Sequence, residues 1–473
     1  MNKTARLAWL GLPLAAAAMT LLGGPRTAGR PQNRPPARLV HSVEVSTDEP
    51  GARHVECVVA VNPRDPNNLV AASMVLDAGE RVVAYASRDG GRSWARSKRA
   101  GKSASFRGLD PAVAFDQDGN AFVVSIDDEL TVWKSTDGGF TWDGGAVVGG
   151  RAWDRPWIAY GATTPNDAGP RLYVAGKMPV TVFGRGSPDI IGVSASADRG
   201  AAFPFPRLFL LDPDKQLLNV VSGMVLDARG RVLLMLRTFP ASTGDQPLIA
   251  GSFSTIVSDD AGRTFSPPRD GPAFQTYSHA AEGKSMFGLG FTSLAADPAG
   301  AIYVGFLDAV EGWYRVFVAK SVDGGLTWSE PVAVSDAVET DASTPALAVD
   351  GRGAVSVTWY DRRADPTDGC YQLYFASSQD GGRTFSPNQR LDARMTCPLA
   401  SGAGVSDPRA SGDDPLTSEY RFKNAGDTQG IAGLPGGGFQ LTWIRAGERE
   451  MQLWSTAVSI DASAAPLSRS SGR

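Results

Sequence analysis

An eight-residue phrase written six times constrains this chain more than any other feature. At Ser321 it reads Ser-Val-Asp-Gly-Gly-Leu-Thr-Trp; the copies start at Ser87, Ser135, Ser196, Ser258, Ser321 and Ser378, spaced by 48, 61, 62, 63 and 57 positions. A motif that returns at such a period marks an array of similar units, not a set of unrelated domains. One copy is worn: Ala202 stands where the others carry Ser or Thr.

Each position of the phrase has a structural job. The Asp (Asp89, Asp137, Asp198, Asp260, Asp323, Asp380) is placed to accept bonds from the N–H groups of its own tight turn. The Gly two places on suits a backbone that needs positive φ, and the closing Trp or Phe is an apolar plug for the seam between neighbouring units. Six periodic carboxylates also invite a catalytic or calcium-binding reading, but turn satisfaction accounts for the spacing without a ligand.

The chain between the phrases repeats a grammar: an apolar strand, an Asp/Gly turn such as Asp116-Gln117-Asp118-Gly119, an alternating strand, a loop and a third strand. Four strands per unit describe a propeller blade. First strands read at Val58–Val61, Ala112–Phe115, Trp157–Tyr160, Met224–Leu226, Leu294–Ala296, Ala346–Val349 and Gly430–Gly433, which makes seven units. The seventh lacks the phrase and the chain for a fourth strand. The alternating segment Arg38 to Val45 is the candidate to fill that place and close the ring, leaving no exposed edge. The expectation is an all-β propeller of four-stranded blades, seven preferred and six the alternative.

These six segments resemble the Asp box, or bacterial neuraminidase repeat, of the sialidase-like β-propeller superfamily. Segments such as Asn62-Pro63-Arg64-Asp65-Pro66-Asn67-Asn68, Asp154-Arg155-Pro156-Trp157 and Trp359-Tyr360-Asp361-Arg362-Arg363 resemble the exported bacterial proteins of that set. The resemblance spans roughly residues 40 to 460 and implies the fold; the box occurs on propellers of several functions and names no reaction.

The repeat makes residues 39–460 one large domain. Residues 1–24, with Lys3 and Arg6 before an apolar run, read as a signal peptide or an N-terminal anchor; 25–38 read as a disordered leader and 461–473 as a disordered tail. The expected address is therefore exported, secreted or periplasmic, with membrane contact only through an uncleaved N-terminal segment. A net charge of -4 without a basic run argues against nucleic acid. Three cysteines fit an exported protein with one disulfide: Cys370 and Cys397 pair, from loops expected on one face, while Cys57 lies in an apolar strand.

In a propeller the face opposite the boxes collects the loops between second and third strands and those between blades. Polar residues of both signs fall there, including Arg53, His54, Glu56, Asp110, Asp154, Arg155, Asp341 and Asp427, as in a pocket that fixes a polar ligand. The resemblance to sialidases implies a glycan or glycoconjugate partner and supplies roles: Tyr360 as nucleophile, Glu282 or Glu56 as its base, Asp110 or Asp127 as the acid, and Arg237, Arg362 and Arg445 as the grip on a sugar carboxylate. Asp308 and Asp361 complete the expected substrate-binding ring. No metal site and no cofactor is expected. The chain departs from sialidases in its first blade, where His54-Val55-Glu56-Cys57-Val58-Val59 replaces the family's Phe-Arg-Ile-Pro-like segment, and in its blade count. The alternative is a non-catalytic propeller that binds glycan or protein on the same face.

Overall fold

The computed structural model describes residues 37–76, 81–99, 102–103, 105–127, 129–151, 153–161, 169–178, 190–209, 217–240, 248–277, 292–366, 370–397, 425–446 and 450–460. Glu282, the segment before 37 and the tail from 461 lie outside them. No described residue is helical.

Seven antiparallel sheets, six of four strands and the first with a short fifth strand, form a ring, each with its inner strand beside those of its neighbours: a seven-bladed β-propeller. The inner strands are His54–Val61, Leu109–Phe115, Asp154–Gly161, Leu217–Leu226, Ser293–Ala296, Ala342–Val349 and Gly430–Gly433. Second strands are buried along most of their length, as in Leu69–Val75 and Val355–Asp361, because both faces pack against other blades. The apolar core therefore fills the seams between blades. The largest cluster spans blades six, seven and one, with Tyr360, Tyr371, Phe375, Phe439, Trp443 and Tyr85 among its members.

The ring closes through the two ends of the described chain. Arg38–Glu44 runs antiparallel to Met451–Ser459 as the outer strand of blade seven, in register from Arg38 opposite Ser459 to Glu44 opposite Trp454. Side chains then lock the turn that leads into blade one. Ser46 Oγ bonds Gln452 Oε1 and accepts from the Leu453 amide, while Gln452 Nε2 donates to the carbonyls of Glu49, Pro50 and Ala52. Glu49 itself pairs with Arg81 at 2.8 Å and Arg96 at 2.9 Å.

Each repeated phrase is a self-satisfied turn that abuts the preceding blade. Asp323 accepts four bonds, from Ser321 Oγ (2.8 Å), the amides of Leu326 (3.0 Å) and Thr327 (2.9 Å), and Thr327 Oγ1 (2.6 Å). The worn copy makes fewer: Asp198 accepts from Ser196 Oγ at 2.7 Å and from the Ala202 amide at 3.0 Å. Gly139 shows why glycine is needed, because its φ is +95° and a Cβ there would lie 2.2 Å from Val70 of blade one. The aromatic wedges across the seam, as where Phe265 of the fourth phrase meets Phe209 edge-on at 4.8 Å.

Candidate functional site

The inner strands of blades one, two, three and six share a defect that builds the site. In each, two residues face a single residue of the second strand, a β-bulge lying between Val55 and Val58, Leu109 and Ala112, Asp154 and Trp157, and Ser343 and Ala346. The first residue of each bulge is not glycine, yet its φ is positive: Glu56 at 53°, Asp110 at 50°, Arg155 at 52° and Thr344 at 51°. Such backbone is strained by about 1–3 kcal/mol per residue and persists only where the surroundings hold it. A bulge also re-aims the side chain it carries.

Where these side chains go is fixed by what they touch. Arg155 of blade three pairs through Nη2 with Asp427 of blade seven and lies 3.9 Å from Glu56 Oε1 of blade one. Its amide donates to Asp110 Oδ2 of blade two at 3.2 Å. Blades three and seven are not neighbours in the ring, so their contact crosses the mouth of the central opening. Glu56 and Asp427 are 2% and 6% exposed, and Arg155 is nearly as enclosed. Blade six joins through Gln429 Nε2, which donates to the Thr344 carbonyl at 2.5 Å. Arg237 approaches from blade four: burial pushes its guanidinium down to about 10 against the opposing influence of Tyr314 and Asp427. It lies over the ring of Phe274 at 5.2 Å. The mouth is thus a compact set of acids about one central arginine. Among the described residues no group of His, Cys, Asp and Glu has the arrangement of a metal site.

Several residues expected at the site lie elsewhere. Tyr360 is fully buried in the seam between blades six and seven, 4.4 Å from the ring of Tyr371, and its hydroxyl accepts the Ile444 amide at 3.1 Å. Burial holds its phenol well above the ordinary range. A phenol so enclosed cannot reach a substrate in the mouth, which corrects its assignment as nucleophile. Asp361 is also a correction: its carboxylate accepts from Trp359 Nε1 at 2.8 Å, the Arg363 amide at 3.0 Å, Arg363 Nε at 2.8 Å and Arg363 Nη2 at 2.7 Å, which occupies it structurally. Asp308 is 2% exposed and accepts the Gln275 amide at 2.6 Å, so it braces blade four against blade five.

The three arginines are held by different partners, two of them beside blades six and seven and the third on blade four. Arg362 donates to Ser343 Oγ at 3.1 Å, Arg445 pairs with Asp392 at 2.7 Å and stacks over Trp454 at 3.6 Å, and Arg237 lies over Phe274. A common grip on one carboxylate is not what these contacts build. Asp127 sits on the exposed rim, 3.3 Å from Arg107. Asp110 stands in the central set. Glu282 falls outside the described residues. Cys370 and Cys397 are joined and, with the paired Tyr371 and Thr396, tie off the outer end of blade six; Cys57 is buried.

Sequence reasoning placed Glu56, Asp110, Arg155 and Asp427 on this face and gave Glu56 and Asp110 candidate catalytic roles, but gave Arg155, on which the contacts centre, none. A signal was available: Asp110-Pro111-Ala112, Arg155-Pro156-Trp157 and Thr344-Pro345-Ala346 share a polar–proline–apolar step at the head of the strand, in register with Glu56-Cys57-Val58.

No protein-family model matches the chain, and no curated protein matches it in sequence. Among solved structures, it is similar to a protein of unknown function from Dyadobacter fermentans DSM 18053 at 15% identity and a TM-score of 0.49, over 90% of this chain and 100% of that one. It is similar to the intramolecular trans-sialidase from Ruminococcus gnavus at 13% identity and a TM-score of 0.40, over 88% and 96%. The alpha-L-arabinanase of Penicillium chrysogenum matches at 11% identity and a TM-score of 0.44, over 76% and 99%. At identities this low, no residue role or activity transfers from them.

Proposed function

We propose that the protein is an exported glycan-acting hydrolase whose reaction takes place at the mouth of the propeller, on the face opposite the boxes. The observation that carries this reading is the set of four matching bulges, which spend backbone strain to bring Glu56, Asp110 and Arg155 together beside Asp427. Hydrolysis of a glycosidic bond calls for two carboxyl groups about 5 to 9.5 Å apart, and three carboxylates share contact with one residue here. Glu56 and Asp110 are the pair we assign to acid and base or nucleophile work. Asp427, in the close ion pair, positions Arg155 to hold a sugar hydroxyl or carboxylate. A sialidase of the tyrosine type is the narrower reading; with Tyr360 buried it would need another tyrosine as its nucleophile. The second reading, a glycan-binding propeller without turnover, draws on the mutual neutralisation of Arg155 and Asp427, which suits holding a polar ligand.

The test is release of reducing ends from a panel of sialylated, arabinan and uronate-containing glycans by the full-length protein. Glu56→Gln and Asp110→Asn should each lower turnover by about a hundredfold or more with an unchanged urea midpoint. Tyr360→Phe should keep its turnover per folded molecule. Turnover that survives both carboxylate changes would refute the assignment. Saturable glycan binding without turnover on any member would favour the binding reading.

A further inference from the structure

A second concave site lies on the box face, far along the fold from the mouth. It is a cavity of about 390 Å³ at the seam where the ring closes, a volume within the range of small-molecule sites. The closing strand supplies Arg38, Val40 and His41, the first phrase supplies Arg92, and the inner turn of blade six supplies Arg352. Leu434 and Val458 of blade seven give it an apolar wall.

The charge on this lining has one sign. Arg38, Arg92 and Arg352 line the cavity beside the imidazole of His41, Arg92 Nη1 donating to the Asp89 carbonyl at 2.8 Å, and no carboxylate lines it among the described residues. The acids next to these residues in sequence are turned inward to their own turns. Asp89 accepts from Ser93 and Ser87, Asp65 from the Asn67 amide, and Asp350 from the amides of Arg352, Ala354 and Gly438. His41 adds a second observation. Both its ring nitrogens are shielded from solvent and complete no hydrogen bond among the described residues, although the Gly91 backbone approaches the ring. Buried polar atoms left so are uncommon in native structures and call for an explanation. Burial first, and then the nearby Arg92, disfavour a proton on the ring and outweigh the Gly91 backbone and Asp89, which favour it; an anion placed between His41 and Arg92 would shift that balance towards the proton.

We propose that this seam cavity binds a small organic anion, with a flat apolar body against Val40, Leu434 and Val458 and one sulfonate or carboxylate met by Arg92, Arg352 and His41. The ligand would bridge the closing strand, blade one and blade six, and so bind only the closed ring.

The test uses two fluorescent probes of matched shape with the full-length protein. One is the anionic 8-anilinonaphthalene-1-sulfonate, the other its uncharged counterpart N-phenyl-1-naphthylamine. The sulfonate should bind saturably at one site, at least about tenfold more tightly than the amine, and should raise the urea midpoint. Arg92→Ala and Arg352→Ala should each weaken the sulfonate by about tenfold while leaving the amine unchanged. Val40→Trp, which fills the cavity and keeps every charge, should abolish binding of both. Glu56→Gln, at the opposite mouth, should bind like the wild type. Equal affinity for the two probes, no saturable binding, or sulfonate affinity indifferent to Arg92→Ala, Arg352→Ala and Val40→Trp would each overturn the proposal.

Discussion

The worn phrase offers a direct test of what the repeated aspartates do. If they satisfy turns, the cost of removing one should follow the number of bonds it accepts. Asp323 accepts four and Asp198 two. The turns are largely exposed, so the freed amides return to water and each bond is worth the low end of its range, about 0.5 kcal/mol. Asp323→Ala should then cost about 2 kcal/mol and Asp198→Ala about 1 kcal/mol, while Ala202→Thr should return about 0.5 kcal/mol by restoring a hydroxyl donor. Urea unfolding followed by tryptophan fluorescence would read all three, provided the slope with denaturant is common to them. The same account fixes the pH dependence. Partial burial opposes the charge on Asp323, but the bonds from Thr327, Ser321 and Leu326 outweigh it and hold the carboxyl at about 2, below its usual 3.8. A depressed carboxyl contributes stability that is full above its unfolded value and is lost as pH falls through its folded one. The gap between wild type and Asp323→Ala should therefore be level above pH 4 and close as pH nears 2. An Asp198→Ala cost equal to or above that of Asp323→Ala would refute the turn account and reopen a ligand role for the boxes.

Three further outcomes follow from single contacts. Tyr360→Phe should cost about 1–3 kcal/mol, because it strips a buried acceptor from the Ile444 amide; a change within error would mean water reaches that seam. Burial, with Arg81 and Arg96 acting against Glu49, holds His54 at about 4 rather than 6.5. The unfolded chain then binds the extra proton, so stability should be full above pH 6.5 and decline between 6.5 and 4, with a shallower decline in His54→Asn; equal slopes would remove His54 from the account. Without reductant, a thiol reagent at pH 8 should label nothing in the native protein and one site after unfolding, since burial pushes the Cys57 thiol up to about 12 and the other two cysteines are joined. Native labelling would contradict the burial of Cys57.

The blades were legible in the sequence because their signals are local and repeated: phrase, turn and alternation each recur at short range, and the leftover segment at Arg38 completed the count. The residues of the mouth were placed on the right face, but their arrangement about Arg155 was not legible, and for one physical reason. Inner strands read from alternation start at Val58, Ala112, Trp157 and Ala346, each two residues after the strained residue at 56, 110, 155 or 344. A bulge breaks the period of two on which strand recognition rests, so the four bulged positions were read as loop. Tyr360 misled in the opposite way. It is a polar-tipped aromatic at a strand end, and only the packing of blade seven decides that its ring faces the core.

The closing strand has a consequence for how the molecule comes into being and how it fails. Ser46 bonds the amide of Leu453, 407 positions along the chain, so an early segment to leave the ribosome finds its partner only when nearly the whole domain has emerged. Until then blade seven has no outer strand and blade one has no anchored entry. Assembly should thus end in a single late step of high contact order. Once made, the circle offers no free end from which blades could peel in turn, and loss of structure must begin by parting that one seam.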